Sequence, residues 1–554
     1  MLPADVFPLF TPALLAAIGG LICLALEPFL GKSGKHSVLP WIGGLAMVAA
    51  GIALVSQSAA PAHFHDIFAM DPARQWLCLG ILAAAAISFG GLQQTLSRDK
   101  FPGGEPYALT AFATVGALLM AMAVDTIALF IGIELASLAI YALVGLRRHR
   151  LESNEALFKY FVMGAIFSAI FLYGAALSYG ATGSTHFGAA VLDGRTGLYQ
   201  LGSTLLVIGL LFKVGAVPFH FWTADAYTGA PSVVTGFMAA VIKVGAFAGL
   251  GSFVLASLAQ ASGVHPLVGP LPLDSAVVLT AHAAETHERL GVAILIIALL
   301  SLMVGNFSAL RQTSVRRMLA FSSVAHAGYV LLALVPAQAG GTVQLTGFVY
   351  YLLGYAIATA GAFAALAAVS SRDDLGDDLD GLSGQGRAHP FHGLMATVFL
   401  VSIAGIPPTV GFMGKYLIFS DLVGKGNVAA AAFGMLMAVI GAAYYLRLVI
   451  TLWTGSRVEE RRVAPHALSS CTLAVAAVAV IALVAAPGWL VPRTMLEKAE
   501  RPEKPALTQT RGISTSQAEQ PAAVEYRLIE AAPGATGAPT PVPVKAALAA
   551  PAGP

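Results

Sequence analysis

Three lysines and one glutamate stand alone inside long apolar runs: Lys213, Lys243 and Lys415, with Glu134 as an acidic counterpart. An ionisable residue at bilayer depth costs roughly 2.5–3.5 kcal/mol even on the lenient insertion scale. Taking an ammonium out of water favours the neutral amine, so a buried lysine is a group that can give up and regain a proton. The chemistry such residues suit is the movement of protons or ions. Snorkelling to the interface is the alternative, but Lys213 and Lys243 lie near the centres of their runs. Glu134, in ALFIGIELASLAIY, fits either a structural ion pair with a lysine or a proton-path element whose partner shifts.

Other ionisable residues leave both readings open. Lys159 follows Glu155 by four residues, a spacing that suits a helical ion pair as well as a functional role. His220 and Asp225 lie beyond a helix break, near the inner surface, as a satisfied buried pair or as proton-entry residues. His326, in AFSSVAHAGYVLL, sits beside Ser322 and Ser323. Histidine titrates near neutrality, so it reads as a hydrogen-bonded core residue or a relay. Arg447 is expected to be structurally paired at the inner boundary of its helix.

The elements that must position these groups are membrane helices. A span needs about 20 apolar residues. Runs of this kind fall at 8–28, 38–58, 73–92, 107–124, 126–146, 155–180, 198–225, 229–256, 291–310, 315–335, 343–369, 390–424, 428–454 and 467–490, fourteen in all. The first lacks the basic start and small-residue site of a cleaved signal and is expected to be retained. Two spans are interrupted at depth. The seventh reads LLFKVGAVPFHFW, with Pro218 after Lys213; the twelfth reads SIAGIPPTVGFMGKYLIF, with Pro407 and Pro408 before Lys415. Proline removes a backbone donor, which hydrocarbon tolerates only where protein or water satisfies the freed carbonyls. Broken helices in corresponding places point to two inverted units, 107–256 and 291–454. Around them lie an N-terminal three-helix segment (1–106), an outer loop (257–290), a C-terminal helix (455–496) and a tail (497–554) whose composition predicts disorder.

Only 11% of the 554 residues are charged, against about 25% in soluble domains. The chain is therefore an all-α integral membrane protein with no nucleic-acid signature. Lysine and arginine number fifteen in the loops after odd-numbered spans. Only Arg74, Arg195, Arg289 and Lys425 follow even-numbered ones before the tail. The odd side is thus cytoplasmic and both termini lie outside. Cys23, Cys78 and Cys471 are isolated, which argues against an iron–sulfur centre or structural zinc. The acidic loop from Asp373 to Asp380 lacks calcium-loop spacing. Gly245 and Gly249 make a G-x-x-x-G suited to helix packing. No nucleotide-binding or nucleophile motif stands in a strand–helix context.

The runs LFIGIELASLAIYAL, EALFKYFVMGAIFSAIFLYG, LLFKVGAVPFHFWTADAYTGAPSVVTGFMAAVIKVGAF, RRMLAFSSVAHAGYVL and IAGIPPTVGFMGKYLIF together resemble a known family. It is that of the antiporter-like membrane subunits of proton-pumping NADH:quinone oxidoreductase (respiratory complex I), and among these the chain is most similar to subunit N. The resemblance covers about 100–455 well. It implies 14 helices with two inverted five-helix repeats and discontinuous helices 7 and 12. It also implies a non-redox, proton-translocating subunit in a bacterial inner membrane, with other membrane subunits of complex I, lipid and protons as partners. NADH, FMN, iron–sulfur clusters and quinone would belong to other subunits, with no cofactor in this chain. The pumping residues carry over onto Glu134, Lys213, Lys243 and Lys415, with Lys159 and His326 as secondary members. The mechanism expected is that Glu134 pairs with Lys213 and releases it. The rival expectation is a subunit of a multi-subunit cation/proton antiporter; a hydrogenase-type membrane subunit is a further one.

Overall fold

Long apolar runs broken only by glycine and proline fold here as a helical bundle. The computed structural model describes residues 6–30, 38–57, 62–65, 67–99, 101, 103–192, 194–261, 284–336, 345–370, 378–455 and 466–485. The first helices are α1 (Val6–Leu30), α2 (Leu39–Ser56), α3 (Pro72–Asp99), α4 (Glu105–Met122), α5 (Thr126–Val144) and α6 (Leu151–Thr182). The seventh span is divided into α7 (Thr196–Val214) and α8 (Thr223–Gly229). The eighth comprises α9 (Ser232–Phe237), a π-helical turn (Met238–Ile242) and α10 (Lys243–Ala261). Next come α11 (Ala284–Leu310), α12 (Val315–Ala333), α13 (Leu345–Val369) and two single turns, α14 (Leu379–Leu382) and α15 (Gln385–Ala388). The twelfth span is split into α16 (Pro390–Ala404) and α17 (Val410–Gly424), followed by α18 (Val428–Trp453) and α19 (Ala467–Ala485).

Twelve helices among the described residues are long and apolar enough to cross a membrane. The two other runs marked in the sequence are α12, which carries Arg316, Arg317, two serines and His326, and the divided α16–α17. The expected all-α class holds, with one addition. A small antiparallel hairpin, β1 (Ala62–Phe64) and β2 (Phe68–Met70), leads into α3. Its Phe64 and Phe68 both meet Phe10 of α1 edge-on, so aromatic packing against a helix sustains a hairpin too short to stand alone. The outer-loop expectation falls largely, and the tail expectation wholly, outside the described residues.

Burial separates centre from rim. Every residue from 232 to 255 is buried, and so is 94% of the most apolar 18-residue stretch of α13; for α6 the figure is 22%. The segment from α9 to α10 and α13 therefore form the core, with α3 packed along α13, while α6 presents an apolar face outward. The predicted third span stops at 92, but α3 runs on to Asp99 because Gln93, Gln94, Thr95 and Arg98 are all buried. Arg98 donates to the Ala367 carbonyl at 3.2 Å and pairs with Asp99, which also takes Arg147.

Helices approach closely where glycine faces backbone. A Cβ on Gly116 of α4 would lie 2.6 Å from the Ala136 nitrogen, and one on Gly132 of α5 would lie 2.9 Å from the Met120 nitrogen. The G-x-x-x-G of α10 is likewise a packing device, with Gly245 against the Ala117 carbonyl. Gly132→Leu has no room to relax because its obstacles are backbone. It is expected to destabilise the bundle by at least about 1–3 kcal/mol, seen as a lower thermal midpoint and recovery in detergent. Gly197→Leu, in open space on α7, should leave both unchanged.

A line of buried lysines at helix breaks

The two interrupted helices are built alike. Helix α7 ends at Gly215 (φ +70°) and α16 at Gly405 (φ +84°), each three residues before a proline, Pro218 or Pro408. A left-handed glycine is the usual helix stop, since side-chain-bearing residues avoid that region. The peptide bond before each proline is cis. The freed backbone groups are then satisfied locally. Gly215 and Ala216 donate back to the carbonyls of Phe212 and Leu211, the Trp222 indole donates to the Phe212 carbonyl, and the Val217 amide donates to Ser301 Oγ.

Each buried lysine is tied to one of these irregular places. Lys213, 4% exposed, occupies the last turn of α7, and its Nζ donates to Ser137 Oγ on α5. Lys243, 2% exposed, directly follows the π turn. Its Nζ donates to the carbonyl and Oγ of Ser323 on α12, at 3.0 and 2.9 Å, and lies beside Gly215 at the α7 break. Lys415, 6% exposed, reaches back from α17 to the end of α16, donating to the Ala404 and Ile403 carbonyls at 2.7 and 3.3 Å. An ammonium there answers both the unpaired last carbonyls and the negative end of the helix dipole. It also lies 5.0 Å from the centre of the Tyr329 ring.

Among the described residues, none of these three lysines has a carboxylate within ion-pairing distance. The expected Glu134–Lys213 pair is thus not closed. Ser137, three residues along α5 from Glu134, takes the lysine, while Ser168 of α6 donates to the carboxylate. Glu134 is half-buried, at the edge of a cleft between α5, α6 and α7 that has Lys213 on its wall. Only about 10 Å³ of that cleft admits the centre of a water molecule, room for about one water.

Towards the end of α6 that carries Glu155, the other candidates form a charged cluster. Lys159 reaches Glu155 at 2.6 Å and Asp225 of α8 at 3.0 Å, and Arg317 of α12 approaches the same aspartate at 3.6 Å. His220 is half-buried between the break and α8, its ring against Phe321. Lys159 and Asp225 are each more than one-third exposed, so they lie apart from the dry lysine sites. Arg447 departs from expectation: it is exposed on α18 and has no ion-pair partner among the described residues. Leu446 and Ile450 on that surface are exposed as well, so among the described residues this side of α18 is uncovered.

His326 is fully enclosed, and both ring nitrogens are engaged. Nδ1 shares a hydrogen bond with the Tyr351 hydroxyl at 2.6 Å, and Nε2 shares one with the Tyr445 hydroxyl at 2.9 Å. Tyr445 is bonded in turn to Ser322 Oγ. These hydroxyls were missed in the sequence. Their signal is the tyrosine doublets 350–351 and 444–445 inside apolar helices, where a phenol needs a partner.

A helical membrane bundle with two interrupted helices and lysines buried at the interruptions has the architecture of the antiporter-like membrane proteins. The profile described as NADH:quinone oxidoreductase/Mrp antiporter, TM, matches residues 123–273 and 262–441. NADH-quinone oxidoreductase subunit N of Trichlorobacter lovleyi is 35% identical over 456 residues, 81% of this chain and 88% of that protein. Subunit N of Myxococcus xanthus is 34% identical over 533 residues, 88% and 97% of the two chains. A chain of respiratory complex I from Thermus thermophilus superposes with a TM-score of 0.69 at 31% identity, covering 87% of this chain and 98% of that one. A chain of the Mrp complex from a Dietzia species gives 0.71 at 18% identity, covering 89% and 96%, a likeness of fold alone. The chain belongs to the family of NADH-quinone oxidoreductase subunit N.

A Cβ on Gly405 would come within 2.9 Å of Lys415 Cδ in a left-handed conformation. Gly405→Ala is expected to cost roughly 1–2 kcal/mol from the backbone alone and to lower the thermal midpoint of the purified protein. Gly424→Ala, with nothing within 4 Å, is the matched control and should not.

Proposed function

We propose that this chain is a proton-translocating, non-redox membrane subunit of an NADH:quinone oxidoreductase. Electron transfer from NADH to quinone takes place in other subunits, which hold the NADH, FMN, iron–sulfur and quinone sites. The observation that carries the reading is the partner chemistry of Lys213, Lys243 and Lys415. Each ammonium is held by neutral hydroxyl or carbonyl oxygens and not by a carboxylate. A lysine paired with a carboxylate leaves a bare buried anion when it loses its proton, which is strongly unfavourable. One held by dipoles leaves only a neutral amine, so it can load and unload.

In this reading protons enter from the cytoplasm past Lys159, Asp225 and His220 and load Lys213 or Lys243. They pass by way of His326 to Lys415 and leave outward. Glu134, one turn from Ser137 and open to the rim of the bundle, draws Lys213 away from Ser137 when charges in a neighbouring membrane subunit shift. The same proposal includes two inverted five-helix units, 107–256 and 291–454, supported by the matching Gly-x-x-Pro breaks. It also places the chain in a bacterial inner membrane with both termini periplasmic. The loop charges support that orientation, since two of the four outer-side cations are neutralised inside the protein: Arg74 pairs with Asp71 and Lys425 with Asp421.

Lys243→Ala, in a complex that keeps its full subunit set, is expected to lower NADH-driven proton uptake into vesicles by roughly tenfold or more, since one positioned proton-transfer group contributes about 10²–10⁴-fold. Unchanged uptake removes the lysine from the path. A tag on this chain should also co-purify NADH dehydrogenase activity from mild detergent. Recovery with small antiporter subunits and without that activity turns the reading to cation/proton exchange.

A further inference from the structure

No hydrogen bond joins Lys213, Lys243 and Lys415 to one another among the described residues. Four side chains of the bundle core form a hydrogen-bonded row: Ser322, Tyr445, His326 and Tyr351. All four are 2–4% exposed. They come from three helices, α12, α13 and α18, so the row is a product of tertiary packing.

Each end of the row lies one residue along the chain from a lysine or from its host. Ser322 is the neighbour of Ser323, the residue that holds Lys243. At the other end the Tyr351 ring packs against Gly414, where a Cβ would lie 2.8 Å from Cδ2, and Gly414 is the neighbour of Lys415. His326 is within electrostatic reach of both lysines. A neutral imidazole has one N–H and one lone pair. With a hydroxyl on each nitrogen, one tyrosine must donate to the ring while the other accepts from it.

We propose that Tyr445 and Tyr351 are proton-relay residues that carry a proton through His326 from the Lys243 site to the Lys415 site. This inference rests on the proton-translocating reading above. When Lys243 releases a proton to Ser322 through water, the serine's own proton passes to the Tyr445 oxygen, and that of Tyr445 passes to Nε2. The Nδ1 proton passes to the Tyr351 oxygen, and the tyrosine's original proton passes through water to the Lys415 amine. Each oxygen in the row breaks one bond to hydrogen and forms one, while Nε2 of the ring gains a hydrogen and Nδ1 loses one. The net change is a neutral Lys243, a charged Lys415 and the other imidazole tautomer. Rotation of the hydroxyls and return of the ring proton from Nε2 to Nδ1 by exchange through water restore the starting order.

Tyr355 supplies an internal control. Its ring centre lies 4.9 Å from that of His326, yet its hydroxyl bonds neither nitrogen. The test is proton uptake by vesicles carrying the assembled complex, normalised to NADH oxidation with an artificial acceptor, which reports intact complex. Tyr351→Phe and Tyr445→Phe keep the ring and remove one link each. Both should slow uptake about tenfold, the equivalent of 1.36 kcal/mol, and Tyr355→Phe should match the unaltered protein. Should Tyr445→Phe fail to assemble, Ser322→Ala breaks the row on the other side of the same hydroxyl and is expected to slow uptake likewise. Normal uptake in the phenylalanine variants, alongside slow uptake in Lys415→Ala, overturns the relay and leaves the proposed function standing. Normal uptake in Lys415→Ala overturns the proposed function and the relay with it.

Discussion

A buried cation is stable only with a partner, and the kind of partner decides what the cation can do. This chain uses two kinds. Arg74, Arg98, Arg147 and Lys425 are held by carboxylates. Such a pair in a low-dielectric setting resists separation, because either ion left alone is costly. Lys213, Lys243 and Lys415 are held by serine oxygens and helix-end carbonyls. Those dipoles stabilise the ammonium without penalising the amine, so the same residue type acts as a clamp in one place and as a carrier in another. The broken helices follow from this need. The end of α16 offers Lys415 unpaired carbonyls inside the bundle, and the end of α7 places Lys213 and, from across the break, Lys243 beside irregular backbone.

The breaks themselves were legible, because Gly and Pro have few other uses inside an apolar run of that length. The three lysines were legible for the same thermodynamic reason. Their partners were not. Ser137, Ser168 and Ser323 are unremarkable in an apolar helix, where serine usually bonds its own preceding turn. Choosing between Glu134 and Ser137 as the host for Lys213 needs the relative rotation of α5 and α7, which apolar periodicity leaves free when a helix is apolar all round. The tyrosines around His326 escaped notice for a related reason: from the sequence they read as core aromatics.

Boundaries misled where polar residues are buried. A window that follows hydropathy ends the third span at 92, yet Gln93, Gln94, Thr95 and Arg98 continue into the protein: Gln94 accepts from the His466 amide, Thr95 donates to the Gly91 carbonyl, and Arg98 is received by the Ala367 carbonyl and Asp99. Arg74 and Lys425 were counted as outer-loop charges, but each is buried against an aspartate three or four residues away. A count of loop cations from the sequence therefore includes residues that the fold takes inside.

The π turn at Met238–Ile242 has a geometric consequence for Lys243. A π turn holds one residue more than the α turn it replaces, and each residue turns an α-helix by about 100°. The two halves of this fully buried segment are therefore out of phase by roughly a quarter-turn. On an unbroken helical wheel drawn from Ser232, Lys243 is assigned to the wrong face. The inserted residue aims the lysine at Ser323 and the α7 break while α9 keeps its own seat against α13, so the phase of the helix, and not its sequence position alone, selects the lysine's host.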